Sequence, residues 1–426
     1  MTTNHVTSLD MPDLNHLITY IFLFASLNFE IFLLITYFEN RSGIKKEKEA
    51  QNNVKLKHYP SVTIVVPCWN EEKTVSGTIH SILKLDYPKN KLKVMVVDDG
   101  STDNTWNVVQ SFKNNPQVLL HRKDNGGKHT ALNFAISKMD TDLIGCLDAD
   151  SYVHKDSMKK VALYFQDKET MAVAPSILLW KPTSVLQLLQ KVEYGFGIFT
   201  RKLYHYMDAI YITPGPFSIF RKEVFEKLGP YKHAHQCEDI EIALRMQKNG
   251  MKIAHAHNAY VYTVPPKTLP KLLKQRVRWS HGFIKNAFDY RDMIFNKKYG
   301  NVGMLILPMA CISIVSVLYV SIVSIYSLIN SLVDQIVRIQ TVGINPSFKL
   351  PSLDLFYINT ELIALVSLVV AIGSITMILA SKKMSEGKIN IGMDLIYYLS
   401  LYMFIAPLWI GKAAWNAVFS IKTTWR

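Results

Sequence analysis

The sequence predicts an α/β domain set between membrane-spanning helices, and three observations predict it. From Ser61 to Pro265, short β-branched runs alternate with helical segments. Long apolar runs without that alternation stand before and after this region. The β runs end in polar, acid-rich clusters, the pattern of a sheet whose ligands sit at the carboxyl ends of its strands.

Length and composition agree. The 426 residues leave room for one large domain plus membrane helices. Apolar residues make up 49% and charged residues 19%, an apolar-rich balance for a soluble enzyme. The 48 Lys and Arg against 34 Asp and Glu give a formal charge of +14. Such an excess suits nucleic acid, an anionic membrane surface or an anionic substrate. The membrane spans favour the second and third, so no nucleic-acid partner is expected. Cys68, Cys146, Cys237 and Cys311 have no paired short spacing, which argues against a disulfide framework or a zinc knuckle and suits reduced thiols facing the cytosol.

Residues 1–16 form an N-terminal tail. Leu17 to Phe38 is long enough to cross the roughly 30 Å hydrocarbon core as one helix, with Glu30 inside it. The residues before it carry no Lys or Arg and no small-residue cleavage site follows, so it reads as a retained anchor rather than a signal peptide. Arg41, Lys45, Lys46 and Lys48 crowd its far side in a basic linker, residues 39–60. The positive-inside bias then places the chain from Glu39 onward in the cytosol.

Residues 61–265 make the α/β domain. Ser61 to Pro67, Leu92 to Val97 and Leu143 to Leu147 read as strands. Helices are expected over Glu72 to Leu85, Thr102 to Asn114, Ala131 to Ser137 and Ile240 to Asn249. Continuous apolar strands alternating with helices predict a parallel sheet covered on both faces. Residues 266–302 follow as an amphipathic stretch. Leu269, Leu272, Leu273, Val277, Ile284 and Phe288 make one helical stripe, and Lys271, Lys274, Arg276 and Lys285 fill other positions. This pattern predicts a helix in the membrane interface with its charges at headgroup level, so membrane lipids are expected partners.

Residues 303–426 form a C-terminal membrane domain. Gly303 to Leu332 and Leu355 to Ala380 read as spans, followed by a basic cytosolic loop, Ser381 to Lys388. Ile391 to Ile421 reads two ways, because Pro407 and Lys412 lie inside it. A single crossing leaves Lys422 and Arg426 outside, against the charge bias, whereas a broken pair of segments returns them to the cytosol. Glu30 and Glu361 lie within apolar spans, where an unpaired charge is costly. Lining a polar path, sitting near headgroups and pairing with Lys412 all remain open for them.

Several polar clusters carry chemistry. Asp148 and Asp150 follow a strand two residues apart, so both carboxylates can face one cation. Mg2+ or Mn2+ takes one or two carboxylates and completes its shell with substrate phosphates; the alternative is two turn acids. Asp98-Asp99-Gly100-Ser101 suits either a tight turn or contacts to a base and a ribose. Asn125-Gly126-Gly127-Lys128 opens a helix, with backbone donors and a lysine suited to phosphate, or is a loop with a solvated lysine. Asp239 stands at the start of a helix as a cap or as a general base. Gln275, Arg278 and Trp279 share one helix face. Arg suits a pyrophosphate and an indole suits a sugar ring, while both types also suit a membrane interface. The pairs His233/His235 and His255/His257 lack further ligands at a spacing that completes a zinc site, so packing or solvent is their expected role.

In these residues the chain resembles the membrane-embedded family 2 glycosyltransferases, the group that contains poly-N-acetylglucosamine, cellulose, chitin and hyaluronan synthases. The matching residues, within Val62 to Gly282, are Trp69-Asn70-Glu71, Asp98 to Ser101, Asn125 to Lys128, Asp148-Ala149-Asp150, Glu238-Asp239 and Gln275-Arg276-Val277-Arg278-Trp279. Pro214-Gly215-Pro216-Phe217 and Arg221 are similar to an acceptor-side loop. The resemblance implies a GT-A domain inserted between transmembrane helices, a UDP-sugar donor, and Mg2+ or Mn2+. It implies donor binding by Asn70, Glu71, Asp98, Asp99, Lys128, Asp148, Gln275 and Arg278, with Asp98 and Asp99 on the uridine. Asp148 and Asp150 would serve the ribose and the metal, Asp239 would act as base with Glu238 beside it, and Trp279, Gly215 and Pro216 would meet the acceptor. Cys237 and His129 depart from the family pattern, which has threonine and a small residue there.

The expected activity is inverting transfer to a growing β-linked polysaccharide at the cytosolic face of the cell membrane, with an accessory membrane subunit as a further candidate partner. A glycolipid-forming transferase with a lipid-linked acceptor is the alternative within the same motifs. A non-catalytic, nucleotide-sensing membrane protein is the alternative outside them.

Overall fold

Alternation of side chains along β1 (Val62–Cys68) and β2 (Leu92–Asp99) feeds two cores, one on each face of the sheet. Val62, Ile64, Val66, Val94 and Val96 enter one cluster, and Val65, Met95 and Val97 enter the other. All eight are buried, each contributing about 1.5–3 kcal/mol relative to exposure. This computed structural model describes residues 14–52, 56, 58–343 and 362–421. Glu361, Lys422 and Arg426 lie outside the described residues.

The remaining strands are β3 (Val118–Lys123), β4 (Leu143–Cys146), β5 (Ser151–Val153), β6 (Thr170–Leu179), β7 (Ile219–Arg221) and β8 (Lys252–Thr263). They form one sheet in the order β3-β2-β1-β4-β7-β6-β8-β5. The first four of these are parallel. The second half is mixed, not parallel as expected: β7 pairs antiparallel with β4 and β6, and β5 antiparallel with β8. The chain leaves β6 through a helix (Val185–Tyr206) and a turn over 215–217, and the three-residue β7 then enters between β4 and β6 running against both.

Helices α2 (Val75–Leu83), α3 (Thr105–Gln110) and α5 (Ser157–Tyr164) cover the first core; α4 (Lys128–Lys138), α7 (Lys222–Leu228) and α8 (Glu238–Lys248) cover the second. Helix α6 (Val185–Tyr206) starts in a capping box, in which Ser184 Oγ accepts from Gln187 N and Gln187 Oε1 accepts from Ser184 N. Helix α9 (Leu269–Asp289) carries Gln275 to Trp279.

Four helices among the described residues are long and apolar enough to cross a membrane, over Leu14–Glu47, Val302–Thr341, Leu362–Glu386 and Met393–Val418. They lie in α1 (Leu14–Asn52), in a π-helical turn (Val302–Ile306) continued by α10 (Leu307–Val342), in α11 (Leu362–Glu386) and in α12 (Met393–Val418). The stretch that reads two ways in sequence is one helix, which runs through Pro407. The expected basic loop after residue 380 is instead the end of α11 up to Glu386. Lys382 is buried there and ion-paired to Asp394 at 2.6 Å, so its charge meets a carboxylate rather than solvent.

The chain divides into two units. One comprises residues 14–34, 309–343 and 362–376 among those described; in it Ser374 Oγ donates to Glu30 Oε1 at 2.5 Å and Phe22 packs on Tyr319. The other holds the sheet, α2 to α9 and α12. Within it the apolar stripe of α9 meets α12: Leu273, Val277 and Ile284 pack with Tyr402, Ala406, Trp409 and Ala413. The middle of the stripe is thus buried against a helix rather than laid in lipid, while Leu269 and Phe288 at its ends are exposed.

Candidate active site

Because β1, β2 and β4 are parallel, the clusters that follow them share one sheet edge. Cys68 leads into Trp69-Asn70-Glu71, Asp98 and Asp99 close β2, and Asp148-Ala149-Asp150 lies just past β4. The first two loops are stitched together. Asn70, at φ +56°, accepts through Oδ1 from Thr102 N at 2.9 Å, and its own N–H donates to Ser101 Oγ at 3.0 Å. Glu71 N donates to Thr105 Oγ1, and Glu71 Oε2 accepts from Thr74 Oγ1, both at 2.8 Å.

Asp98 is fully buried and accepts from Ser101 N, with the Arg122 guanidinium 3.0 Å from its other oxygen. Asp99 takes the N–H groups of Gly126 and Gly127 at 3.1 and 2.8 Å and the Lys123 ammonium at 2.6 Å. Thus Asp99 braces the Asn125–Lys128 loop. Arg122 and Lys123 were not among the residues expected here. The basic run at the end of the apolar strand Val118 to Leu120 is their sequence signal, since the parallel register sets Asp98 beside Arg122 and Asp99 beside Lys123.

Lys128 opens α4 behind Gly127, whose φ of +89° lets the loop turn into the helix. Its ammonium lies 2.7 Å from Asp148 Oδ1 and 3.4 Å from Glu238 Oε1, joining the acid pair after β4 to the acid pair at the start of α8. Burial works against this charge, yet the Asp148 and Glu238 carboxylates raise its pKa well above the usual lysine range. Gly215 lies against the pair; a Cβ there would come 2.7 Å from Lys128 Nζ and 3.3 Å from Asp148 Oδ2. Gly215 and Pro216, expected on the acceptor side, stand in the turn beside this cluster. Arg221 is bonded to the carbonyls of Thr170, Phe165 and Asp167, which fixes the strand rather than facing the site.

Asp150 is pushed up to about 6 by burial and by the neighbouring Asp148 and Glu71 charges. Among the described residues no group of three or more His, Cys, Asp and Glu side chains could hold a metal ion by itself. A cation held by the two carboxylates Asp148 and Asp150 would have to complete its shell with substrate phosphates and water. Asp239 is also pushed up to about 6, by burial and by Glu238 beside it, while Lys128 and Arg278 oppose the shift. Its main-chain carbonyl accepts from Thr213 N and Oγ1, which fixes the start of α8 to the loop before Gly215.

The segment before α8 is strained. Ala234, His235 and Gln236 have φ of +45°, +51° and +64°, each costing about 1–3 kcal/mol. Helix α9 holds it in place. Arg278 Nη1 donates to Gln236 O at 3.2 Å, Asn286 Nδ2 to Ala234 O at 3.2 Å, and Asp289 meets His235 Nε2 at 3.0 Å. Gly282 lets the helices approach, since a Cβ there would overlap the Cys237 thiol. Burial pushes that thiol's pKa up, so Cys237 packs as a neutral group. Gly282→Val should force α9 away from Glu238-Asp239; a steep loss of turnover, with weaker nucleotide binding because Gln275 and Arg278 move with the helix, is the expected result, and full activity would show that α9 does not set the site.

On α9, Gln275, Arg278 and Trp279 are half-buried. Arg276 is not a headgroup charge as the amphipathic pattern predicts. It is 3% exposed, paired through two contacts with Glu193 of α6 at 3.0 and 2.8 Å, and its guanidinium lies 4.2 Å from the Trp279 ring centroid. Nothing in the spacing of motifs singles out Glu193. The histidines at 255 and 257 are buried in β8, and burial holds His255 well below its usual range, so it is a neutral core group.

A profile of the family described as Glycosyltransferase like family 2 matches residues 60–282. The chain is 28% identical over 293 residues to a poly-beta-1,6-N-acetyl-D-glucosamine synthase of Staphylococcus aureus strain COL, spanning 68% of this chain and 70% of that one. It is 28% identical to the enzyme of the same name from Staphylococcus epidermidis strain ATCC 35984 over 57% of this chain and 58% of that one. A solved mannosyltransferase from Pyrobaculum calidifontis, in complex with GDP-mannose and Mn2+, superposes with a TM-score of 0.56 at 17% identity, covering 93% of this chain and 99% of that one.

Proposed function

Since the chain belongs to the family 2 glycosyltransferases, as an integral membrane protein with a GT-A-like domain flanked by candidate spans, we propose that it builds a β-linked polysaccharide from a UDP-sugar at the cytosolic membrane face. The observation that carries this reading is the Lys128 bridge, which ties Asp148 to Glu238 and so joins a donor-side acid pair to a helix bearing a candidate base. A nucleotide-sensing module has no need of a base, and the likeness to polysaccharide synthases supports chain building.

In this reading Asp239 takes the proton of the acceptor hydroxyl. The acceptor oxygen bonds to the anomeric carbon as the bond from that carbon to the diphosphate breaks, with inversion and release of UDP. Asp148 and Asp150 hold Mg2+ or Mn2+, which when bound offsets the charge of the diphosphate. Lys128, Gln275 and Arg278 serve the same anion, and Asn70, Glu71, Asp98 and Asp99 shape the nucleoside side. The acceptor stacks on Trp279 beside Gly215 and Pro216. An accessory membrane subunit and surrounding lipid complete the expected partners.

Processive extension is the expected result with membranes and a panel of UDP-sugars. Long products should appear while most acceptors remain unextended, and Trp279→Ala should shorten them. Products that stop at one sugar on a lipid would instead make the protein a glycolipid transferase.

A further inference from the structure

Glu193 stands outside every motif, yet its carboxylate makes a two-contact pairing with Arg276 of α9. Both guanidinium contacts are short, and the arginine is 3% exposed. The same guanidinium donates from Nη1 to Gln275 Oε1 at 2.6 Å and lies over the Trp279 ring. Its ring-facing geometry also includes Tyr194 of α6, at 5.8 Å. One buried cation thus touches two of the three residues that α9 offers to the site. Its orientation is set from another helix.

We propose that Glu193 is a positioning residue for the acceptor side of the site: by clamping Arg276 it fixes the plane on which the Trp279 indole rests. With one indole face covered by Arg276, the opposite face is the one that receives a sugar ring. Arg suits this task because its planar fork pairs with a carboxylate and stacks on an aromatic at once, whereas a lysine ammonium does only the first. Without the carboxylate, the buried guanidinium has lost its charge partner and turns toward water, uncovering the Trp279 indole, while Lys128 and Arg278 still meet the donor diphosphate. Helix α6 also bears Lys191, which meets Glu386 at 3.0 Å and Asp394 at 3.3 Å, so the helix holding Glu193 is itself anchored beside α12.

This inference rests on the transferase reading, and the test separates the two. Full-length wild-type protein and the variants Glu193→Gln, Arg276→Lys and Glu193→Asp are purified in detergent. UDP release from the UDP-sugar without acceptor, extension of a short glycan and product length are measured for each. Glu193→Gln and Arg276→Lys should lose about 10²-fold in extension, the scale of a small misplacement of a reacting partner. Their loss in acceptor-free UDP release should be far smaller, and their products shorter. Glu193→Asp, which keeps the charge, should recover part of the product length. Equal losses in both assays, or wild-type product lengths, would overturn the assignment, as would failure of both Glu193→Gln and Arg276→Lys to fold, which makes the pair a fold element only. Wild-type protein that turns over no UDP-sugar would bring down the transferase reading itself, and this role with it.

Discussion

Asp239→Asn should abolish most sugar transfer while leaving UDP affinity near that of the parent. The substitution keeps the shape of the side chain at the start of α8 but removes its capacity to take a proton. General-base contributions are commonly about 10²–10⁴-fold, and a loss in that range is expected in kcat. The pH profile gives a second, independent reading. Burial and Glu238 push the Asp239 pKa up to about 6. A base works only when deprotonated, so the rate should climb as pH rises through about 6 and level off above it. The asparagine variant should lack that climb. Equal loss of UDP binding would move Asp239 to the donor side or to a purely structural cap.

Metal dependence through Asp150 should have a comparable effect. EDTA-treated membranes should transfer no sugar, Mn2+ or Mg2+ should restore transfer, and Asp150→Asn should remain inactive in either metal. A stability measurement separates this from misfolding. The folded-state pKa of about 6 lies above the usual aspartate value of 3.8, so between those pH values the folded protein holds a proton that the unfolded chain has released. Stability from this group is therefore fully present below about 3.8 and lost as pH rises through about 6. At neutral pH the ionised form disfavours the metal-free fold by up to about 3 kcal/mol. Metal-free Asp150→Asn should accordingly melt no lower than the parent at pH 7, although it is inactive. Full-rate transfer in EDTA would remove the metal from this chemistry.

How much of this was legible in sequence depends on the kind of contact. Strands that end in acids, such as Leu92 to Asp99, declare both their period and their site, because burial on two faces and polarity at one end leave different residue types. The parallel half of the sheet follows from that pattern. The antiparallel β7 does not, since three residues after a turn carry too little periodicity to fix a direction. The ions behave likewise. Asp98 and Asp99 are visible, but their partners Arg122 and Lys123 emerge only when two strands are set in register. Arg276 reads as a surface charge because a helical pattern records which face is polar and not what another helix offers to that face. Glu193, 83 residues away, is supplied by tertiary structure alone.

The contact between Cys237 and Gly282 bears on how such a chain can drift. Helix α9 and the start of α8 are spaced by a sulfur on one side and a bare backbone on the other. A larger residue at either position is blocked unless the opposite one shrinks or the helices part, so the two sites form one steric unit, and neutral change there must be concerted. Glycine already represents the minimum at 282, and the room for variation lies at 237. Lineages that keep Gly282 can explore small polar or thiol side chains before the acid pair; those that lose it must re-space the helix that carries Gln275 to Trp279. Pairwise co-variation, rather than identity at either position, is the mark this packing should leave across relatives.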